Sequence, residues 1–263
     1  LGGLARTPNG KCLRMICLQC IQHLVFDRYP LEGMAMVDLE RTVLYEVAEQ
    51  VATVTINRPK RYNSLNYLAY KELTEAFEKA NFDPDVHVII FTGTGRGFCT
   101  GDDVKELLGA GADELSRRIQ TGELEVPSEP MKRSDKPIIA AVNGAAVGYG
   151  MELSLLADIR IASKSARFSE MFVKRAIVAG PDSFELLPQI VGVASAAEIL
   201  MTGDLIEAEE ALRLGLVSRI VQDDELITEA QSLARRITVN APLAVKAAKE
   251  GLRFVKQGKR DEL

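Results

Sequence analysis

Apolar and polar positions along this 263-residue chain change period as the chain proceeds. Residues 43–56, VLYEVAEQVATVTI, form two β-rich runs around a polar Glu49-Gln50 pair, which predicts a hairpin closed by Asn57-Arg58-Pro59. Residues 67–80 then place Leu68, Leu73, Ala76, Phe77 and Ala80 at helical spacing, and residues 86–92 (VHVIIFT) predict a short buried strand. A helix leading into a buried strand implies a parallel crossover. After the glycine-rich TGTGRGFCTG, Asp103 and Glu106 read as a capping box, with a helix starting at Val104, Leu107 and Leu108. Residues 121–137 hold Pro127, Pro130 and Pro137 among charges, so a loop or broken helix is expected. A buried strand at 137–142, a glycine-spaced turn at 144–150, an apolar helix from Met151 and a second strand at 158–162 follow. From Ala194 the pattern is helical, interrupted by a strand-like return in ALRLGLVSRIV with Gly215 as a helix stop. No solenoid period is present, and the order of elements predicts an α/β fold with a C-terminal helical region.

With 47 % apolar residues, the chain can bury one sizeable core, so one main domain is the expectation. Lys+Arg at 32 against Asp+Glu at 37 leave a formal charge of -5, with no global basic field for a nucleic-acid backbone. No run of eighteen apolar residues is free of charge, so no membrane partner is expected and the chain reads as soluble. Three of the four cysteines, Cys12, Cys17 and Cys20, crowd the start and Cys99 stands alone, which suits a reducing compartment. Residues 1–35 carry Arg6, Lys11 and Arg14 with no acid before Asp27, and are read as an extension. Localisation is therefore expected to be cytoplasmic, or the mitochondrial matrix if that extension is a transit peptide. Cys12, Cys17, Cys20 and His23 have a spacing that can hold zinc. Nothing downstream repeats it, and no metal is expected.

The segment VNGAAVGYGMELSLLADIRIA carries the most chemical information. A strand ends in glycines spaced G-x-x-x-G-x-G and a helix starts, leaving first-turn N–H groups and the positive end of the helix dipole exposed. Such a turn suits a phosphate, an oxygen becoming anionic, or simply close strand-to-helix packing. A short-chain dehydrogenase would need a Tyr-x-x-x-Lys downstream, but the last tyrosine of the chain is Tyr149, inside the turn. Only His23 and His87 are present, and neither G-x-S-x-G nor H-E-x-x-H occurs. A turn earlier in the chain, residues 96–103, also ends a strand, so two sets of helix-start amides can converge on one oxyanion.

These two turns carry a resemblance. GFCTGDDVKEL and KPIIAAVNGAAVGYGMELSLLADIRIAS resemble the two signature segments of the crotonase superfamily, the enoyl-CoA hydratase/isomerase family. TINRPKRYNSLN and ILMTGDLIEAEEALRLGLVSRIV match in order and spacing as well. The resemblance implies a ClpP/crotonase fold, a repeated ββα core at residues 36–193, and a helical region at 194–263 that stops short of the family's last helices. It implies an acyl-CoA substrate, no separate cofactor, and a homotrimer or dimer of trimers, with the short C-terminus bearing on assembly.

By position, the resemblance puts the oxyanion donors on the N–H groups of Asp102 and Tyr149, the latter at a site usually glycine, and an acid/base on Glu152. Its CoA contacts would fall at Arg58, Lys60, Arg61, Cys99, Gly101 and Gly148. Cys99 itself reads as a small buried residue, and Asp158 as structural. The chain departs from the family at the second catalytic glutamate, where Phe172 stands. Glu170, two residues earlier, and Asp182 are candidates to supply the missing carboxylate, or are solvated loop acids. The implied function is an enoyl-CoA hydratase/isomerase, an activity type of fatty acid metabolism. The alternatives are an acyl-CoA thioester hydrolase or decarboxylase, and a family member that binds acyl-CoA without turnover.

Overall fold

The computed structural model describes residues 41–107, 112–256 and 258–259. The extension at 1–35, with its cysteine and histidine spacing, lies outside the described residues. Strands β1 (Val43–Ala48) and β2 (Val51–Ile56) pair antiparallel with Ala48 opposite Val51. The two residues between them, Glu49 and Gln50, both have positive φ (50° and 65°), the tight two-residue turn whose twist matches a hairpin.

Helix α1 (Tyr67–Phe82) starts where the Asn66 side chain accepts from the Ala69 N–H. It buries Ala69, Tyr70, Leu73, Ala76, Phe77 and Ala80. Leu68, assigned to that face from the sequence, is 36 % exposed. It stands five residues before Leu73, well off the buried stripe, and Tyr70 takes the inward place.

The remaining described strands are β3 (Val88–Gly93), β4 (Gly97–Cys99), β5 (Ile138–Val142), β6 (Ala145–Val147), β7 (Ile159–Ser163), β8 (Arg167–Ser169), β9 (Ile206–Glu207) and β10 (Arg219–Val221). Among the described residues they form two sheets, ordered β1-β2-β3-β5-β7-β10 and β4-β6-β8-β9. Each successive strand pair, β3/β4, β5/β6 and β7/β8, gives its first member to the large sheet and its second to the small one. Neighbours within each set run parallel. This is the repeated ββα core that the resemblance implies. The run 144–150, read as a turn, therefore contains strand β6, too short to show a period in sequence.

Both faces of the large sheet are covered, so its central strands are apolar throughout. Ile89, Phe91, Ile138 and Ala140 face the main core, while Val88, Ile90, Ile139 and Ala141 face a second cluster with Leu226, Ala230 and Leu233 of α8 (Leu226–Thr238). Between these elements lie α2 (Ala112–Gln120), α3 (Ser128–Arg133), α4 (Tyr149–Leu155), α5 (Pro181–Val191), α6 (Val193–Thr202) and α7 (Ala208–Arg213); α9 (Pro242–Lys256) follows α8. The proline-rich stretch 121–137 thus holds one short helix, α3. Phe98 of β4 packs edge-on against Phe91, which packs edge-on against Phe77 of α1, at centroid distances of 4.9 and 5.3 Å. Each pair contributes about 0.5–1.5 kcal/mol beyond burial, and together they fix β4 under α1.

The capping box expected at Asp103 does not form. The Asp103 N–H already donates to Leu65 O, and Glu106 turns to Arg58 and Asn66 instead of back to Asp103. Residues 104–107 form a turn. Among the described residues, no helix is long and apolar enough to cross a membrane.

Candidate active site

Strands β4 and β6 are parallel neighbours, so the turns at their C-terminal ends lie side by side. The approach is possible only with glycine: a Cβ on Gly144 would lie 1.9 Å from Arg96 O, and one on Gly150 2.0 Å from Cys99 O. Gly101, with φ of +79°, brings its turn against the second, a Cβ there falling 3.2 Å from Tyr149 N and 3.0 Å from Val147 O. Leu65 fixes the first turn by donating to Gly101 O and accepting from Asp103 N–H, both at 2.8 Å. That pairing uses the groups on either side of Asp102 and leaves its own N–H without an acceptor among the described residues. Tyr149 is the first residue of α4, where the helix supplies no acceptor for the N–H. Two adjacent turns thus each present an unpaired amide.

Glu152 stands in the first turn of α4 and is 3 % exposed. Its carboxylate rests on Gly180 at the start of α5, beside Asp182. Burial, with the charge of Asp182 adding to it, pushes the Glu152 carboxyl up to about 7. It can therefore accept and return a proton near neutrality.

Glu170 follows β8, the third parallel strand of the small sheet, and is tied to the second turn because Gly148 N–H donates to Ser169 O at 2.8 Å. It is 1 % exposed, and both of its oxygens lie 3.1 Å from the Ser183 hydroxyl, which donates to them. Burial pushes it up to about 8, with the Ser183 bond opposing and the Glu152 charge adding. Asp182, 7 % exposed, pairs with Lys132 of α3 at 2.7 Å. Glu152, Glu170 and Asp182, far apart in sequence, are thus gathered around the first turn of α5. Neither Glu170 nor Asp182 is a solvated loop acid. Phe172 lies against the second turn, its ring 3.7–3.8 Å from where a Gly148 Cβ would be, and lines the same cleft as Glu170. Beyond Phe172, Ile177, Val178 and Phe184 line a cleft of about 380 Å³.

Cys99 is fully buried, and burial pushes its thiol up to about 12, as expected of an inert packing residue. Arg58, expected at CoA phosphates, is instead held by Asp103 at 3.1 Å, Glu106 at 3.2 Å and the Ser64 carbonyl. Lys60 and Arg61 are exposed on the 3-10 turn Pro59–Arg61. Asp158 accepts from Ile138 N–H and pairs with Lys249 of α9, both at 2.8 Å, a structural role as expected.

Sequence reasoning missed Asn63, Lys132, Ser183 and Tyr70. Asn63, buried with φ of +57°, bonds Thr94 O and Gly97 O, tying the segment after Pro59 to β4. A left-handed asparagine after a proline turn was the one available signal. Nothing marks Lys132 or Ser183, because their partners, Asp182 of α5 and Glu170 beyond β8, are brought to them by the tertiary fold. No group of metal-ligating side chains occurs among the described residues.

Comparison with known proteins matches this frame to enoyl-CoA hydratase/isomerase over residues 46–260. The chain belongs to that family. The family contains an (E)-benzylidenesuccinyl-CoA hydratase from Thauera aromatica, to which the chain is 42 % identical over 209 residues, covering 79 % of this chain and 80 % of the relative. A short-chain-enoyl-CoA hydratase from Clostridium acetobutylicum is 37 % identical over 221 residues, covering 80 % of each. Among solved structures, an enoyl-CoA hydratase subunit from Geobacillus kaustophilus superposes with a TM-score of 0.76 at 30 % identity, covering 82 % of both chains. A monofunctional enoyl-CoA isomerase from M. smegmatis gives 0.67 at 34 % identity, covering 82 % of this chain and 94 % of that one. The chain is thus an enzyme of the enoyl-CoA hydratase/isomerase type, with the crotonase fold.

Proposed function

We propose that the chain hydrates an α,β-unsaturated acyl-CoA thioester through an enolate. The observation that carries this reading is the pair of unpaired amides, Asp102 and Tyr149, on abutting turns beside a buried carboxyl, Glu152, that titrates near neutrality. The thioester oxygen would accept from both amides. Charge leaving the C=C bond collects on that oxygen, where preorganised donors lower the barrier. Glu152 takes a proton from water as the water oxygen bonds to Cβ, then delivers a proton to Cα. The C=C π bond is lost, one C–O and one C–H bond form, and no other reactant is consumed. Coenzyme A enters as part of the substrate, with the exposed Lys60 and Arg61 available to its phosphates.

Isomerisation is the second reading, favoured by Phe172, an apolar ring where the family's hydratases carry a second glutamate. In it, Glu152 would move one proton from Cα to Cγ through the same enolate. Glu170 and Asp182 support hydration, because both place a carboxyl within electrostatic reach of Glu152. Assembly into trimers is part of the same proposal, supported by exposed apolar side chains at Val178, Phe184, Val193 and Met201.

Purified protein given 2-enoyl and 3-enoyl CoA thioesters tests the proposal, with products resolved by mass and by loss of enoyl absorbance. A mass gain of one water from the 2-enoyl ester is expected. Conversion of the 3-enoyl ester without mass change would select isomerisation, and turnover of neither would sink both.

A further inference from the structure

The two residues that present the amides have long side chains, and both reach the same partner. Asp102 Oδ1 accepts from the Tyr70 hydroxyl at 2.5 Å. The Tyr149 ring stacks on the Tyr70 ring, with centroids 5.5 Å apart and planes 4° from parallel. Tyr70 is itself buried on α1, in the helical stripe that continues through Leu73 and Phe77 into the main core. Its position is therefore set by the core and not by the turns it touches.

We propose that Tyr70 is the positioning residue of the oxyanion hole, its hydroxyl on Asp102 and its ring on Tyr149 holding both donor amides in one frame. The inference rests on the acyl-CoA reading above. Leu65 and the Arg58–Asp103 pair hold the first turn and the Ser169 carbonyl holds the second, but none of these contacts spans both. A single rigid side chain that grips both sets their separation, and donors of this kind act only when held at the place where charge develops. The hydroxyl has a second effect. Asp102 is a half-buried acid whose side chain lies next to its own donor amide, and a hydrogen bond to its carboxyl disperses charge that would oppose an enolate forming there. Burial pushes the Asp102 carboxyl up while the Tyr70 bond opposes that shift, so the pair is coupled.

Tyr70→Phe deletes the oxygen and keeps the stacked ring and the helix. Steady-state turnover of a 2-enoyl thioester should show kcat down about tenfold, the loss of one hydrogen bond to an acidic group, with KM within about twofold. A dialkylaminocinnamoyl thioester of CoA, whose absorbance moves red when its carbonyl is polarised, should shift less on Tyr70→Phe than on the wild type. Asp102→Ala should lose a similar factor, and the double variant should be no worse than either single one. Losses that multiply, or a Tyr70→Phe protein with wild-type kcat and red shift, overturn the proposal. If Tyr70→Phe does not fold, Asp102→Ala is read by the same red shift, and an unchanged shift overturns it equally. A wild-type protein that leaves the probe unshifted removes the oxyanion hole itself, and this inference with it. A wild-type shift beside an unaltered Tyr70→Phe rejects the positioning role alone.

Discussion

The carboxylate of Glu152 lies against Gly180 so closely that a Cβ there would fall 2.4 Å from Oε1 and 2.5 Å from Oε2. Gly180 has φ of -68° and ψ of 161°, a conformation open to any residue. It is therefore glycine for the sake of its neighbour's side chain. Gly180→Ala should displace the Glu152 carboxylate without straining the backbone, lowering kcat at least about tenfold. Overpacking should cost about 1–3 kcal/mol of stability. Kinetics and thermal melts on one preparation check both, and unaltered kcat would show that the carboxylate does not need this seat.

Glu152→Gln keeps shape and removes the proton carrier. A loss of about 10²–10⁴ in kcat is expected. Because the wild-type group titrates at about 7, kcat/KM for hydration should rise as pH climbs through that value, when Glu152 ionises and can accept from water. A flat profile across neutrality, or a variant with undiminished turnover, would remove Glu152 from the chemistry.

Glu170 should leave its mark on stability. Between its ordinary value of 4.5 and about 8, the native chain holds a proton that the unfolded chain has released, so stability falls as pH rises through that interval. Glu152 adds the same sign between 4.5 and about 7. Glu170→Gln should flatten the fall in Tm between about pH 5 and about pH 8.5, and should melt higher than wild type at the alkaline end. Parallel melting curves for the two proteins would refute this.

Phe172→Glu places a second carboxyl beside Gly148, in the cleft that Glu170 also lines. The ratio of hydrated to isomerised product from a mixture of 2-enoyl and 3-enoyl thioesters should rise by roughly tenfold, as a second group becomes able to hold water. A fixed ratio would mean that Glu170 or Asp182 already fills that role.

Gly144→Ala tests the frame apart from the chemistry. Its Cβ would lie 1.9 Å from Arg96 O and 2.7 Å from Arg96 C, both backbone atoms that cannot rotate away. A loss of at least about 2 kcal/mol is expected, which lowers Tm by about 2–4 °C for each kcal/mol. Calorimetry showing wild-type Tm would contradict the close packing of β4 on β6.

Much of this architecture was legible wherever one local rule governs. The hairpin at Glu49-Gln50, the run of α1 and the strands 88–93 and 138–142 all follow from periodicity and turn chemistry. The two glycine turns, read with the family resemblance, located the paired amides and Glu152. What the sequence hid is what strands of three residues bring together. β4, β6 and β8 are too short to carry a period, so neither the second sheet nor the meeting of Glu170 with Ser183 could be read from spacing, and the pairing of Asp182 on α5 with Lys132 on α3 is a tertiary contact that no local pattern marks. The capping box at Asp103 failed for a related reason: a remote carbonyl, that of Leu65, had taken the amide it required.

The alternation of strands between two sheets has a consequence for how such a chain can change. β3 begins at residue 88, β5 at 138 and β7 at 159, so the stretches between successive units differ greatly in length while the small sheet keeps its spacing. The two unpaired amides and Glu170 hang from the ends of β4, β6 and β8, Glu152 from the helix that follows β6, and Asp182 from the helix that follows β8. Insertions between the units can therefore reshape the walls around the substrate while the donor amides stay in register. Single replacements at the tips, as at Tyr149 or Phe172, can redirect the reaction while the barrel of contacts beneath them is left alone. The scaffold separates what must stay fixed from what is free to vary, and diversification of chemistry on it is a matter of editing three neighbouring strand ends.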